Sequence, residues 1–173
     1  MKRRRSNFIA DYTFERVTSI PLEFLREVGV TGVILDLDNT LTRWEEDEVP
    51  ADIAQWVQSL MDAGFALVIL SNGLRGKQLK VSRQLGVPLV VSLLPKPFPL
   101  GFGEALKTLG VPRENAVVIG DIVFTDIWGA NRLGLKTILV EPVSPIDFTG
   151  TKIWRFFERL FNLRRSARRG GGE

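Results

Sequence analysis

The sequence predicts an α/β fold in which a parallel sheet of about five strands is covered by helices on both faces. Short, almost continuously apolar segments alternate along the chain with segments whose apolar residues recur at helical spacing. Leu-Gly-Val or Leu-Gly-Leu tripeptides at 85–87, 109–111 and 133–135 place a helix-ending glycine before an apolar segment. With 173 residues, the chain is long enough for one domain with a buried core.

Five predicted strands are short and rich in Val, Ile and Leu, as buried parallel strands are. They lie at 31–36, 65–70, 89–92, 116–119 and 136–140. Helices are predicted at 22–28, 76–85, 102–109 and 125–133, and from Pro50 to about Met61, where Gly64 would end the helix. This alternation is typical of a doubly wound, Rossmann-like sheet, in which ligands bind beyond the carboxyl ends of the strands.

Two residue types are absent, and their absence restricts the chemistry. The chain has no Cys and no His. This excludes disulfides, thiolate nucleophiles, a Ser-His-Asp triad, zinc sites built from Cys and His, and haem held by either residue. A catalytic site in this chain would therefore use carboxylates, hydroxyls, amines or backbone groups.

Charge is distributed unevenly along the chain. Residues 1–10 carry four cations and no anions, and residues 152–173 carry seven cations and two anions, whereas residues 11–151 have a net charge of −6. Basic ends on an acidic body are typical of proteins that meet an anionic partner, although solvated tails are the simpler alternative. No apolar segment approaches the ~18 residues that span a bilayer, and no secretory signal follows the basic start, so we expect a cytoplasmic location.

Polar side chains follow the predicted strands at the edge where ligands bind. Asp36 and Asp38 follow the first strand and Ser71-Asn72-Gly73 the second, while Lys96 lies near the third and Asp121 and Asp126 near the fourth. Four carboxylates in one crevice repel each other unless a cation is bound, and oxygen ligands favour Mg²⁺. Lys96, the Ser71 hydroxyl and the backbone N–H groups that follow it would suit a phosphate.

The order of these residues resembles the four motifs of the haloacid dehalogenase (HAD) superfamily of phosphatases over residues 28–141. The motifs are Asp36-x-Asp38-x-Thr40, Ser71, Lys96-Pro97 and Gly120-Asp121-x-x-x-Thr125-Asp126. Leu35-Asp-Leu-Asp-Asn-Thr-Leu41, Leu70-Ser-Asn72 and Gly129-Ala-Asn-Arg132 resemble its YqeG-type branch, which includes phosphatidylglycerophosphate phosphatases.

The resemblance implies a role for each motif residue. Asp36 would be the nucleophile that forms an aspartyl-phosphate, and Asp38 would protonate the leaving alkoxide and then activate water. Thr40, Ser71, Asn72 and Lys96 would bind phosphate or support the loop around it. Lys96 would also act in catalysis, and the metal ligands would be Asp36, Asp38 (through its carbonyl), Asp121 and, as an alternate or outer ligand, Asp126.

The resemblance also suggests the kind of substrate. HAD enzymes usually carry a cap domain after the first or second motif, but only 35 residues separate Asp36 from Ser71 and only 25 separate Ser71 from Lys96. A capless, open site suits a phosphate on a large or embedded molecule. We therefore expect a Mg²⁺-dependent phosphatase acting on phosphatidylglycerophosphate at an anionic membrane surface.

The predicted organisation has three parts. They are a basic segment at 1–20, the HAD-like domain at 21–145, and a basic amphipathic helix with a disordered tail at 146–173. The apolar side of that helix would carry Trp154, Phe156, Phe157 and Phe161. It could lie on anionic lipid, as a peripheral membrane helix does, or pack on the domain itself.

The sequence also bears on four functions other than lipid phosphatase. A capless phosphatase for nucleic-acid ends or phosphoproteins would use the basic ends to hold a polyanion. An interaction module that keeps the fold and docks on RNA would not need Asp36 and Asp38, which are both present. A phospho-accepting receiver domain would need an Asp after the third predicted strand, where this chain has Ser92, and no P-loop sequence occurs.

Overall fold

A computed structural model describes residues 7–43, 46–72 and 76–144, together with the backbone of residues 168–169. The strands are β1 Tyr12–Phe14, β2 Gly32–Leu35, β3 Ala66–Ser71, β4 Leu89–Val91, β5 Ala116–Gly120, β6 Lys136–Val140 and β7 Arg168–Arg169. The helices are α1 Leu22–Glu27, α2 Ala51–Asp62, α3 Gly76–Leu85, α4 Pro99–Leu109 and α5 Trp128–Arg132. A π-helical turn, Val123–Ile127, leads into α5.

The strands form one sheet in the order β4-β3-β2-β5-β6-β1-β7. Every pairing is parallel, and β2 lies between β3 and β5, with Ile34 opposite both Val68 and Val118. The chain therefore moves outward from β2 through β3 to β4, and then returns to the other side of β2 with β5. The predicted parallel α/β fold is confirmed, and the reversal of strand order lies at the β2–β5 boundary.

Apolar side chains cover both faces of the sheet because alternate residues of each strand point in opposite directions. On one face, Val33 and Leu35 of β2 belong to a core that includes apolar residues of α1, α2 and α3. On the other face, Ile34 of β2 belongs to a core with Phe102 of α4 and Ala130 of α5. This two-sided core fixes β2 in the middle of the molecule and holds its carboxyl end in place.

The sheet extends beyond the five predicted strands. Tyr12–Phe14, which the sequence analysis placed in the basic N-terminal segment, forms β1 beside β6. Its residues are Tyr, Thr and Phe, and all three are only half-buried. The segment therefore lacks the continuous apolar pattern on which the strand prediction relied. The residues at 168–169 pair with β1 as β7.

The predicted amphipathic helix at 146–173 lies outside the described residues, apart from the backbone at 168–169. Between β2 and β3 the described residues form a loop and α2, and between β3 and β4 they form α3. No helix within the described ranges is long and apolar enough to cross a membrane.

Candidate active site

The loop after β2 carries Asp36 and Asp38 into the crevice between β2 and β5. The Asp36 N–H donates to the carbonyl of Ile119 at 2.9 Å, so the β2–β5 pairing continues one residue beyond the strand. Leu37 and Leu41 are fully buried and anchor the loop. Asn39 has a φ of 61°, a left-handed conformation that Asn adopts more readily than most residues. The loop is thus rigidly built, and Asp36 is largely buried.

Lys96 reaches this loop from the segment between β4 and α4. Its Nζ lies 2.5 Å from Asp36 Oδ1 and 2.7 Å from Asp126 Oδ1, and the side chain is buried. The backbone of Lys96 is held by Asn72, whose Oδ1 accepts the Lys96 N–H at 2.6 Å and whose Nδ2 donates to the Lys96 carbonyl at 3.5 Å. Asn72, predicted as a phosphate-binding residue, uses its side chain here to position Lys96.

Three buried carboxylates form a compact acidic cluster. Asp36, Asp121 and Asp126 each place an oxygen within 4.8 Å of the others. The Thr40 hydroxyl lies 3.0 Å from Asp36 Oδ2 and 3.3 Å from Asp121 Oδ1. Since a hydroxyl has one proton, it can donate to only one of these carboxylates at a time. A further cation would relieve the repulsion between them.

The donor set fits Mg²⁺ on chemical grounds. Counting Asp38, four carboxylates meet in the described part of the site, where Lys96 contacts Asp36 and Asp126 and Lys77 contacts Asp38. With all groups ionised, these four carboxylates outnumber the two lysines, which favours binding of a further cation. All of the candidate side-chain ligands are oxygen atoms, which hard cations prefer.

The approach of Asp126 to the backbone requires a glycine before Asp121. A Cβ at Gly120 would lie 2.5 Å from Asp126 Cγ, closer than real contacts allow. Asp126 Oδ2 also accepts the N–H of Ile122 at 3.1 Å. The Gly-Asp pair at the end of β5 thus has a steric explanation, because the glycine makes room for the carboxylate that binds Lys96.

Burial changes the proton affinity of these groups. Burial raises the pKa of Asp126 to about 6, although the ammonium of Lys96 opposes the shift. Burial would lower the pKa of Lys96, but the carboxylates of Asp126 and Asp36 outweigh it and hold that pKa above its usual value. Lys96 therefore remains an ammonium beside Asp36, where a phosphate oxygen would need a positive partner.

Asp38 lies at the more open side of the site and is paired with Lys77 of α3. Lys77 Nζ lies 2.7 Å from Asp38 Oδ1 and donates to the carbonyl of Arg43 at 2.8 Å. Burial raises the pKa of Asp38, and the Asp36 carboxylate adds to this, while the Lys77 hydrogen bond opposes it. A raised pKa suits a carboxyl group that gives and takes a proton near neutral pH.

The structure thus brings Asp36, Thr40, Lys96, Asp121 and Asp126 together, with Asp38 beside them. Ser71 is buried at the carboxyl end of β3, the strand next to β2. Sequence reasoning missed Lys77. Its signal was weak, since one lysine in the first turn of a helix is ordinarily a surface residue.

A separate cleft of about 680 Å³ lies beside the site and is not lined by the acidic cluster. Among its lining residues are Glu15, Arg16, Arg43, Glu48 and Glu141. It is a charged groove between the N-terminal segment, the loop after β2 and the end of β6. We assign it no catalytic role.

Comparison with known proteins identifies the family. Residues 93–142 match a family model described as HAD-hydrolase-like. The chain is 34% identical, over 88% of its length and 88% of the relative's length, to a Bacillus subtilis protein named "Probable phosphatase YqeG". The chain belongs to the HAD family of phosphatases. It is therefore an enzyme of the class that hydrolyses phosphoric monoesters, and the expected resemblance is confirmed.

Other relatives of this HAD phosphatase carry more specific names. The chain is 36% identical, over 52% of its length, to the glyceraldehyde 3-phosphate phosphatase of Methanopyrus kandleri. It is 29% identical, over 72% of its length, to phosphatidylglycerophosphate phosphatase 1 of Arabidopsis thaliana. The matches cover 42% and 38% of those two proteins, less than half of each.

A solved structure supports the fold. The HAD phosphatase of Thermococcus onnurineus superposes with a TM-score of 0.50 at 21% identity, covering 68% of this chain and 60% of that one.

Proposed function

We propose that this HAD phosphatase removes the terminal phosphate of phosphatidylglycerophosphate, giving phosphatidylglycerol and inorganic phosphate, through an aspartyl-phosphate on Asp36. The observation that carries the chemistry is the position of the Asp36 carboxylate. It is buried, its Oδ1 is 2.5 Å from Lys96 Nζ, and the partly exposed Asp38 follows two residues later on the same loop. A nucleophile, a cation and a proton carrier are thus held on one rigid framework.

In the first step, an oxygen of Asp36 attacks phosphorus and the bond from phosphorus to the leaving oxygen breaks. Asp38 gives its proton to that oxygen, so the leaving group departs as a neutral alcohol. Lys96 stabilises the negative charge on the transferring phosphoryl group, and the Ser71 hydroxyl and Asn72 N–H would bind its oxygens. Asp126 holds the ammonium of Lys96 in place at 2.7 Å.

In the second step, Asp38 takes a proton from water, and the water oxygen attacks the phosphorus of the aspartyl-phosphate. The bond from phosphorus to Asp36 breaks, which regenerates the carboxylate and releases phosphate. Mg²⁺, held by Asp36, Asp121 and the Asp38 carbonyl, would supply positive charge against the phosphoryl oxygens. Asp36 would then be both nucleophile and metal ligand.

Two observations support the lipid substrate. A relative that aligns with 72% of this chain is named a phosphatidylglycerophosphate phosphatase. In addition, the described segments between β2 and β4 add only α2 and α3 to the sheet, so they provide no second domain to enclose a small metabolite.

The test is an assay of the full chain with Mg²⁺ on phosphatidylglycerophosphate in vesicles, beside glycerol 3-phosphate in solution. We expect kcat/KM to be at least tenfold higher for the lipid, and Asp36→Asn to abolish turnover of both. Equal kcat/KM for the two esters would contradict the lipid assignment. Turnover by Asp36→Asn and by Asp36→Ala would contradict the aspartyl-phosphate mechanism.

A further inference from the structure

The surface around Lys96 is unusual because it is both exposed and apolar. Five large hydrophobic side chains are exposed among the described residues, and four of them fall within residues 93–100. They are Leu93 (91% exposed), Leu94 (48%), Phe98 (51%) and Leu100 (42%). We call residues 93–100 the apolar rim. Exposed apolar patches of this kind commonly mark an interaction site.

The apolar rim is continuous with the active site. Its only charged residue is Lys96, and that side chain points inward to Asp36 and Asp126. The remaining residues of the segment are Leu, Pro and Phe, and most of them are exposed. The same eight residues therefore supply a catalytic cation to the interior and an uncharged surface to the outside.

The apolar rim is also held in a fixed conformation. The Asn72 side chain hydrogen-bonds both the N–H and the carbonyl of Lys96. The Phe98 N–H donates to the Pro95 carbonyl at 3.0 Å. The Leu94 N–H donates to the Ser92 hydroxyl at 3.3 Å. Because these contacts already order the backbone, docking of the rim would cost little further conformational entropy.

We propose that the apolar rim inserts into the interfacial region of a phospholipid bilayer and thereby brings the lipid phosphate to Lys96. This proposal rests on the proposed lipid substrate and deepens it. Anything that covers the rim during turnover must leave the adjoining site open to a phosphomonoester. A second copy of the chain or a protein partner seated there would obstruct that site, whereas a phospholipid surface both covers apolar side chains and presents the phosphate.

The absence of cysteine from the chain allows a direct test of insertion. Leu93→Cys and Thr108→Cys would each carry one environment-sensitive fluorophore. Thr108 is exposed near the far end of α4, roughly 12 Å along the helix from the rim, and serves as the matched control. The vesicles would contain phosphatidylcholine with about 30 mol% phosphatidylglycerol, which gives them an anionic surface.

We expect the emission of the Leu93→Cys label to shift to the blue and become sensitive to quenchers in the acyl chains when vesicles are added, while the Thr108→Cys label stays unchanged. No shift at Leu93 would overturn the proposal, as would an equal shift at both positions. A shift that depends on protein concentration without vesicles would also overturn it, since a second copy would then cover the rim.

A kinetic test uses Leu93→Ser/Phe98→Ser, which leaves Lys96 and its partners intact. We expect kcat/KM on phosphatidylglycerophosphate in vesicles to fall at least tenfold, while kcat/KM on glycerol 3-phosphate stays within twofold. Unchanged turnover in vesicles, or equal losses on both substrates, would overturn the proposal. Failure of the proposed function is a separate result, because the unsubstituted enzyme would then show no preference for the lipid.

Discussion

Lys77 shows how a single side chain can join two parts of the site. Its ammonium contacts Asp38 on the loop after β2 and the Arg43 carbonyl further along the same loop, while its backbone belongs to α3. With a side-chain exposure of 14%, it is well shielded from water, so the contact with Asp38 is stronger than a fully exposed ion pair. We infer that Lys77 is a positioning residue for the proton carrier Asp38.

Lys77→Met should slow hydrolysis more for substrates with a poor leaving group than for substrates with a good one. An alkyl phosphate needs a proton from Asp38, whereas 4-nitrophenyl phosphate has a leaving group stable enough to depart without one. Because general acid catalysis contributes about 10²–10⁴-fold, we expect kcat/KM to fall about tenfold or more for glycerol 3-phosphate and less than about threefold for the aryl ester. The ratio kcat/KM is the quantity to compare, since it reports the steps up to leaving-group release.

Lys77→Arg should restore part of the lost activity, because it keeps a cation near Asp38. The matched control is Lys80→Met on the same helix, whose half-exposed ammonium pairs with Asp47 away from the site and should leave both esters unaffected. Equal losses on the alkyl and aryl esters in Lys77→Met would mean that Lys77 acts through the fold alone.

The residues of the acidic cluster could be predicted from sequence, and Lys77 could not. Asp36, Asp121 and Lys96 follow strands or short loops, and the rule that carboxyl ends of parallel strands share one edge is enough to bring them together. The partner of Lys77 depends on the direction of a helical side chain and on the position of Asp38 in the loop after β2. Neither is determined by a local pattern of residue types.

At the level of elements, the N-terminal segment is attached to the sheet by polar contacts that could not be predicted from its own sequence. Asn131 Nδ2 donates to the carbonyls of Asn7 and Ile9, each at 2.9 Å. The Asp11 N–H donates to the Thr137 hydroxyl at 3.1 Å, and Asp11 Oδ2 accepts the Thr137 N–H at 3.1 Å. These bonds bring β1 into register with β6.

Asn131→Ala should therefore destabilise the fold. It removes two hydrogen bonds to backbone carbonyls of the N-terminal segment, and we expect a loss of about 1–3 kcal/mol in the free energy of unfolding, measured in urea. Gln58→Ala is the control, because its bond to Asp62 is exposed and should contribute less than about 0.5 kcal/mol. If Asn131→Ala also lowered the free energy of unfolding by less than about 0.5 kcal/mol, the segment would be held by other contacts.

The same elements show what patterning can predict. Four of the five predicted strands, β2, β3, β5 and β6, are buried at nearly every position, and their apolar residues are nearly continuous, while half-buried β4 is still entirely apolar. By contrast, β1 contains Tyr, Thr and Phe at half-buried positions, and its place is determined by contacts with residues 126 positions away. α4 begins at Pro99 rather than at 102, because proline is well suited to the first turn of a helix.

At the scale of the whole molecule, the acidic cluster predicts that a divalent cation stabilises the fold. The cluster is buried at the carboxyl ends of central strands, and a bound cation would offset the repulsion between its carboxylates. A ligand at 100 times its Kd stabilises the folded state by about 2.7 kcal/mol. For a chain of this size we expect Mg²⁺ to raise Tm by roughly 5–10 °C.

Differential scanning calorimetry with and without Mg²⁺ tests this expectation. NaCl at equal ionic strength is the first control, and Asp121→Asn is the second, because it removes a proposed ligand and one of the repelling charges. The shift in Tm should be absent in both. A similar shift in Asp121→Asn, or with NaCl alone, would show that the cation acts on surface charge and not at the acidic cluster.

The sheet order also has a consequence for folding during synthesis. Tyr12 of β1 pairs with Ile138 of β6, so β1 is synthesised 126 residues before the strand with which it pairs. At about 5–20 residues per second, the 126 positions from Tyr12 to Ile138 take roughly 6–25 s to make. Throughout that interval β1 has no β6 to pair with, so this part of the sheet can form only after β2 to β5 have been made.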